Sequence, residues 1–173
     1  MFTDLACGQR LDMAGYAGGH WLQRWPGLAL ALAAILAVMV DNRVLVVDSH
    51  REYRSIRLPS WALPIWLNGP AFAFASLLLA LTAGLLWYEK ARAFALWWWA
   101  ADTAFYALWT PLVLALNWYF LAAVDAMWFW LLAVGALFVY WRSSRMAAAL
   151  MVPVLAWMSY IVPVSFAFWL LNH

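Results

Sequence analysis

Long apolar runs separated by brief polar breaks dominate the chain from Trp21 onward. Five runs stand out, at 21–40, 66–88, 93–116, 118–141 and 144–171. Each reaches or exceeds the roughly 20 mostly apolar residues that a helix needs to cross a bilayer. The breaks are DNRVLVVDSHREYRSIR (41–57), YEKAR (88–92), a minimal turn at Leu116-Asn117-Trp118, and WRSSR (141–145). The pattern predicts an all-α integral membrane protein, a bundle of five transmembrane helices with one long loop between helices 1 and 2. Residues 1–20 are expected as an N-terminal extension and 21–173 as a single membrane domain. The short later loops make neighbouring helices antiparallel. Within the long loop, RVLVVDS is expected either as a short strand or as a segment lying across the bundle mouth.

The stretch LPSWALPIWLNGP (58–70) leads into the second run. Proline withholds a helix donor and pushes the residue before it toward extended backbone, so a stiff lead-in is predicted, with Pro70 in the first turn of the helix. Tryptophan suits a boundary that is apolar on one side and wet on the other. The segment reads as the lip of a membrane-embedded structure.

Composition agrees with lipid as the main solvent. The chain is 69% hydrophobic and only 10% charged, with a mean hydropathy of +0.80, whereas soluble domains carry about 25% charged residues. A net charge of +2 gives no electrostatic footprint for nucleic acid. One cysteine, Cys7, excludes an internal disulfide and a cysteine-based metal site, and the scattered His20, His50 and His173 imply no metal centre. His50, in the large loop, is a remote candidate haem ligand. The first 25 residues lack the basic and apolar blocks of a signal peptide, which assigns insertion to the first membrane helix. Arg10, Arg24, Lys90, Arg92, Arg142 and Arg145 fall on one side of such a bundle, and Arg43, Arg51, Arg54 and Arg57 on the other. The excess favours a cytoplasmic N-terminus.

Asp102 and Asp125 are the only carboxylates inside the runs. A central aspartate costs about 2.5–3.5 kcal/mol to insert, so it faces a bundle interior or a cavity. Asp102, Tyr106 and Trp109 share one helix face by spacing, and Asp125 has Trp128 one turn on. Each aspartate is readable as the wall of a ligand site or as a structural residue bonding a tyrosine hydroxyl or a backbone amine. Pro111, Pro153 and Pro163 are expected to bend their helices, and bends open gaps. Pro153, Trp157, Tyr160 and Val164 form a stripe that suits helix packing or a pocket wall. LFVYWR (137–142) fits the loose L/V…Y…K/R sterol-contact pattern, which also matches many helix ends by chance. No nucleophile–base pair, phosphate loop or paired-carboxylate geometry supports a hydrolase or transferase.

Over residues 26–172 the chain resembles the TspO/translocator-protein family of tryptophan-rich sensory proteins. The resemblance rests on several ordered segments: Pro59-Ser60-Trp61 with Pro64, Gly69-Pro70, Tyr106 to Trp109-Thr110-Pro111, Ala122-Ala123-Val124-Asp125, Pro153 to Trp157, and the ending Trp169-Leu170-Leu171-Asn172. The chain departs from the family where Phe72 replaces a tryptophan, Ser76 a tyrosine, Tyr106 an asparagine and Val154 a tyrosine. Val164-Ser165 stands where the family has Leu-Asn, and the basic residue expected near the end of helix 5 is absent.

The resemblance implies a central pocket under a loop lid that accepts flat apolar molecules such as porphyrins, haem and sterols. It implies walls from Phe72, Trp109, Leu121, Trp157 and Ile161, with Asp125 nearby and Trp61 at the lid. Indole rings stack on tetrapyrrole faces and bury large areas. No obligatory cofactor follows. The readings left open are ligand binding for sensing, sequestration or transport, an accessory subunit of a larger membrane complex, and light-dependent porphyrin breakdown, with a non-enzymatic role favoured. Besides the lipid bilayer, a homodimer is a candidate partner through the small faces Ala29-Ala33-Ala37 and Ala100-Ala104. The alanine-rich composition associates the chain with a bacterial membrane.

Overall fold

The computed structural model describes Ala29, Leu32, Ile35, Leu36 and residues 56–172. Among these, four long helices follow in chain order: α1 (Ile65–Tyr88), α2 (Ala93–Leu114), α3 (Tyr119–Trp141) and α4 (Arg145–Asn172). The isolated residues of the first predicted run are helical, and Ile35 joins the buried core. The rest of that run, the 1–20 extension, the RVLVVDS segment and His50 lie outside the described residues. Three helices, from Trp66 to Tyr88, from Tyr119 to Trp141 and from Arg145 to Asn172, are long and apolar enough to cross a membrane. The 22 residues of α2 include Asp102, Thr103, Tyr106 and Thr110, all buried.

The chain reverses at short turns whose chemistry is readable. After α1 the amides of Lys90 and Ala91 return to the carbonyls of Trp87 and Leu86, at 3.2 and 2.9 Å. This double return closes the helix with Lys90 in the left-handed region, φ 53°. Between α2 and α3 the left-handed residue is Asn117, φ 54°, which tolerates that conformation better than most. Ser144 caps α4, its hydroxyl accepting the Ala147 amide at 3.1 Å. Pro70 departs from expectation. Because α1 already starts at Ile65, Pro70 lies in its second turn, where it removes only the donor that would have met the Trp66 carbonyl. α2 continues through Pro111, and α4 through Pro153 and Pro163.

α3 packs against α2 on one side and α4 on the other, and α4 in turn packs against α1, while α1 and α2 touch less extensively. The α3–α4 seam explains itself in sequence. Ala122, Ala126, Phe129, Ala133, Ala136 and Tyr140 are all buried, with spacings alternating between four and three. Ala147, Met151, Val154, Met158, Ile161, Ser165 and Phe168 repeat the same rhythm on α4. Small residues on α3 let the backbones approach, and longer side chains on α4 fill the holes. In lipid this close contact has to stabilise the bundle by packing, because lipid tails are as apolar as leucine.

Indole N–H groups tie the helices together. Trp98 donates to the Leu132 carbonyl of α3 at 3.0 Å and Trp99 to the Leu79 carbonyl of α1 at 2.9 Å. Trp109 reaches Ser165 of α4 at 2.9 Å, and Trp130 of α3 reaches Ser159 of α4 at 3.0 Å. The high tryptophan content therefore serves more than the membrane interfaces. Phe74, Leu77, Leu81, Phe94, Trp97, Leu131, Phe138 and Val152 point outward, as lipid-facing positions do.

Candidate functional site

An unbroken series of aromatic rings runs from the lip into the bundle. Trp61, half exposed at the lip, meets Tyr160 edge-on with centroids 6.3 Å apart. Tyr160 lies 5.3 Å from Trp157, and Trp157 meets Phe72 edge-on at 5.8 Å. Phe72 then stacks on Trp109 at 5.3 Å and 26° and leans on Tyr106 at 5.7 Å. Tyr106 continues to Phe129 at 5.6 Å. Such offset and edge arrangements are the favoured ring geometries.

Hydrogen bonds hold the inner rings in place. The Tyr106 hydroxyl donates to the Phe72 carbonyl at 2.6 Å and lies 2.9 Å from the Ser76 hydroxyl. Two departures from the family pattern, Ser76 and Tyr106, thus meet each other, the tyrosine filling from α2 the space that a smaller residue on α1 leaves. A third departure, Ser165, accepts from the Trp109 indole while donating to the Ile161 carbonyl at 2.9 Å.

Phe72, Phe105, Tyr106, Trp109, Asp125, Phe129, Met158 and Ile161 surround a narrow gap nowhere wide enough for a water molecule. Asp125 is 4% exposed, and neither of its carboxylate oxygens has a hydrogen-bond partner among the described residues. The Trp157 indole N–H is likewise buried and unpartnered there. The residue that shares the inward face with Asp125 is Phe129, four positions on, whereas Trp128 is half exposed. A helical advance of 100° per residue accounts for the difference.

Of the residues expected at the site, Phe72, Trp109, Asp125 and Ile161 surround the gap, Trp157 backs Phe72, and Trp61 joins through Tyr160. Leu121 lies elsewhere. It is exposed and lines an open groove of about 420 Å³ with Asn117, Trp118, Tyr119, Phe120, Trp169 and Asn172. Phe105, Phe129 and Met158 are additions to the expected wall, and periodicity alone places Phe129 one helical turn beyond Asp125, whereas Tyr160 stands in the stripe with Pro153, Trp157 and Val164.

The lip is strapped down at two points. The Arg57 amide donates to the Asn172 side chain at 2.8 Å, and the Asn172 amide donates back to the Arg57 carbonyl at 3.1 Å. Further along, the Leu63 amide donates to the Tyr160 hydroxyl at 2.7 Å.

Asp102 occupies a separate place. It is fully buried in the bundle within electrostatic reach of the equally buried Tyr140, and among the described residues neither side chain has a hydrogen-bond partner. Tyr106, four positions on from Asp102, spends its hydroxyl on Phe72 and Ser76 instead. Enclosure of Tyr140 also removes the central residue of the LFVYWR sterol pattern from the lipid face.

No protein with a curated description matches the chain. The sequence profile of the TspO/MBR family matches residues 25–170, a span that takes in the lip, the strap partner Tyr160 and every residue around the gap. With that match and three helices long and apolar enough to cross a bilayer, the chain is an integral membrane protein and belongs to the TspO/MBR family.

Proposed function

We propose that the protein is a five-helix membrane receptor or carrier that binds a tetrapyrrole, such as protoporphyrin IX or haem, or a similar flat apolar molecule. Its role is sensing, sequestration or transport, with the N-terminus on the cytoplasmic side of a bacterial membrane. The observation that carries this reading is the ring series from Trp61 to Phe129. A flat ligand gains most where it can replace ring–ring contacts with its own faces.

As packed, the gap admits nothing of tetrapyrrole size. Entry requires Phe72 and Trp157 to swing aside and the strap at Arg57 and Leu63 to release. Four residues, Trp61, Phe72, Trp109 and Trp157, would then supply the stacking faces, with Ile161 as apolar backing. Leu121 belongs to the outer groove and is left out of this wall.

The test is a dark titration of purified, detergent-solubilised protein with protoporphyrin IX, followed by tryptophan quenching and the shift of the porphyrin absorption band. Saturable one-site binding is expected. Illuminating the same sample separates storage from light-dependent breakdown. A second reading, an accessory subunit of a membrane complex, is favoured by the outward tryptophans Trp66 and Trp97, which are 71% and 75% exposed. Absence of saturable binding would favour it.

A further inference from the structure

Asp125 is the anomaly of the aromatic core. Its carboxylate borders the gap, is almost wholly buried, and finds no donor among the described residues. The crevices around it exclude water. The four helices carry a single basic residue, Arg145, at the start of α4 and far along α3 from Asp125. No described group pairs with it, and it shares the gap with the rings of Phe72, Phe105, Tyr106, Trp109 and Phe129 and with Met158 and Ile161.

Ring faces carry negative potential, so they attract cations and repel anions. A lone carboxyl group among them keeps its charge only when it is paired, and otherwise holds its proton, so its ionised form selects a cation. The porphyrin class carries anionic propionates, which such a wall disfavours at depth. An ammonium group meets both demands at once, by pairing with the carboxylate and by contact with the rings.

Resting on the reading that this aromatic core is a ligand site, we infer that its preferred ligand is a flat aromatic or polycyclic amine, bound as the ammonium ion. Asp125 is the counter-ion, the rings of Tyr106, Trp109 and Phe129 line the cation's surroundings, and the flat body takes the place of Phe72 against Trp109. The unpartnered Trp157 indole N–H, next to Phe72, is placed to donate to an acceptor on the ligand body. A tetrapyrrole entering the same core keeps its propionates at the lip, away from Asp125.

The test uses three probes that share one ring system and differ only in charge: 2-(2-naphthyl)ethylamine, its N-acetyl derivative and 3-(2-naphthyl)propionate. Each is titrated calorimetrically into the full-length detergent-solubilised protein, with protoporphyrin IX titrated in parallel. The amine is expected to bind at least tenfold more tightly than the uncharged amide, about 1.4 kcal/mol, and the propionate most weakly. In Asp125→Asn, a near-isosteric change, the amine's advantage over the amide is expected to vanish.

Equal affinity of amine and amide for the unaltered protein overturns the inference without any variant. So does an amine preference that survives Asp125→Asn. If protoporphyrin binds saturably and no naphthyl probe does, the amine inference falls and the tetrapyrrole reading stands. If nothing binds, both fall.

Discussion

Replacing Ser165 with alanine isolates the hydrogen bond that sets the Trp109 ring. Among the described residues the Ser165 hydroxyl is the acceptor for the indole N–H, at 2.9 Å, and Trp109 is 6% exposed. Removing the hydroxyl therefore leaves a donor with neither water nor lipid headgroup within reach. The reverse change, Trp109→Phe, leaves no such orphan, because the Ser165 hydroxyl still donates to the Ile161 carbonyl. Interhelical hydrogen bonds in membrane proteins average only about 0.6 kcal/mol, with a maximum near 1.7, while a stranded buried donor costs about 1–3 kcal/mol. Sealing of the site by Phe72 places Ser165→Ala in the overlap, at about 1–2 kcal/mol.

For a chain of this size that loss corresponds to a melting temperature lower by roughly 2–8 °C. Thermal unfolding in a fixed detergent, followed by far-ultraviolet circular dichroism, measures it. The double variant Ser165→Ala/Trp109→Phe completes a cycle in which the polar penalty of the serine change disappears, so the two single effects should not add. A Ser165→Ala protein that melts with the wild type, or strict additivity in the cycle, would refute the assignment of this bond as the element that orients Trp109.

Other consequences are equally specific. A methyl group on Gly135 would overlap the six-membered ring of Trp98, whose indole is pinned to the Leu132 carbonyl and cannot easily move, so Gly135→Ala is expected to destabilise by about 1–3 kcal/mol in the same melting assay. Lys90 pays a left-handed conformation without a steric excuse, so Lys90→Gly is expected to stabilise by up to about 1 kcal/mol, less any loss from the added chain entropy of glycine. Tyr160→Phe removes the acceptor for the Leu63 amide, and hydrogen–deuterium exchange at 57–64 is expected to quicken while exchange in the α3–α4 seam stays unchanged.

Much of this architecture was legible because membrane helices advertise themselves. Runs predicted at 66–88, 93–116, 118–141 and 144–171 correspond to helices at Ile65–Tyr88, Ala93–Leu114, Tyr119–Trp141 and Arg145–Asn172. The shared burial of Asp102, Tyr106 and Trp109 followed from their spacing alone. What spacing does not give is which helix a face turns toward. Tyr106 bonds α1 through Ser76 and Phe72, not its own neighbour Asp102, and that choice depends on where α1 lies against α2. Leu121 is a wall residue by resemblance only; the buried stripe Ala122, Ala126, Phe129 and Ala133 runs beside it and leaves it on the outer groove. The filling of the core by Phe72 was equally hidden, since a half-buried phenylalanine reads alike as wall or as plug.

The most direct test of the central claim compares protoporphyrin IX binding in the dark by Trp109→Ala, Trp157→Ala and the outward-facing control Trp128→Ala, all measured against the unaltered protein. Trp109 and Trp157 belong to the ring series, whereas Trp128, on the same helix as Asp125, is 52% exposed and takes no part in it. The account predicts saturable one-site binding that weakens at least tenfold, about 1.4 kcal/mol, in both inner variants and is unchanged in Trp128→Ala. Binding that ignores the two inner tryptophans, or that weakens equally in all three variants, would contradict it.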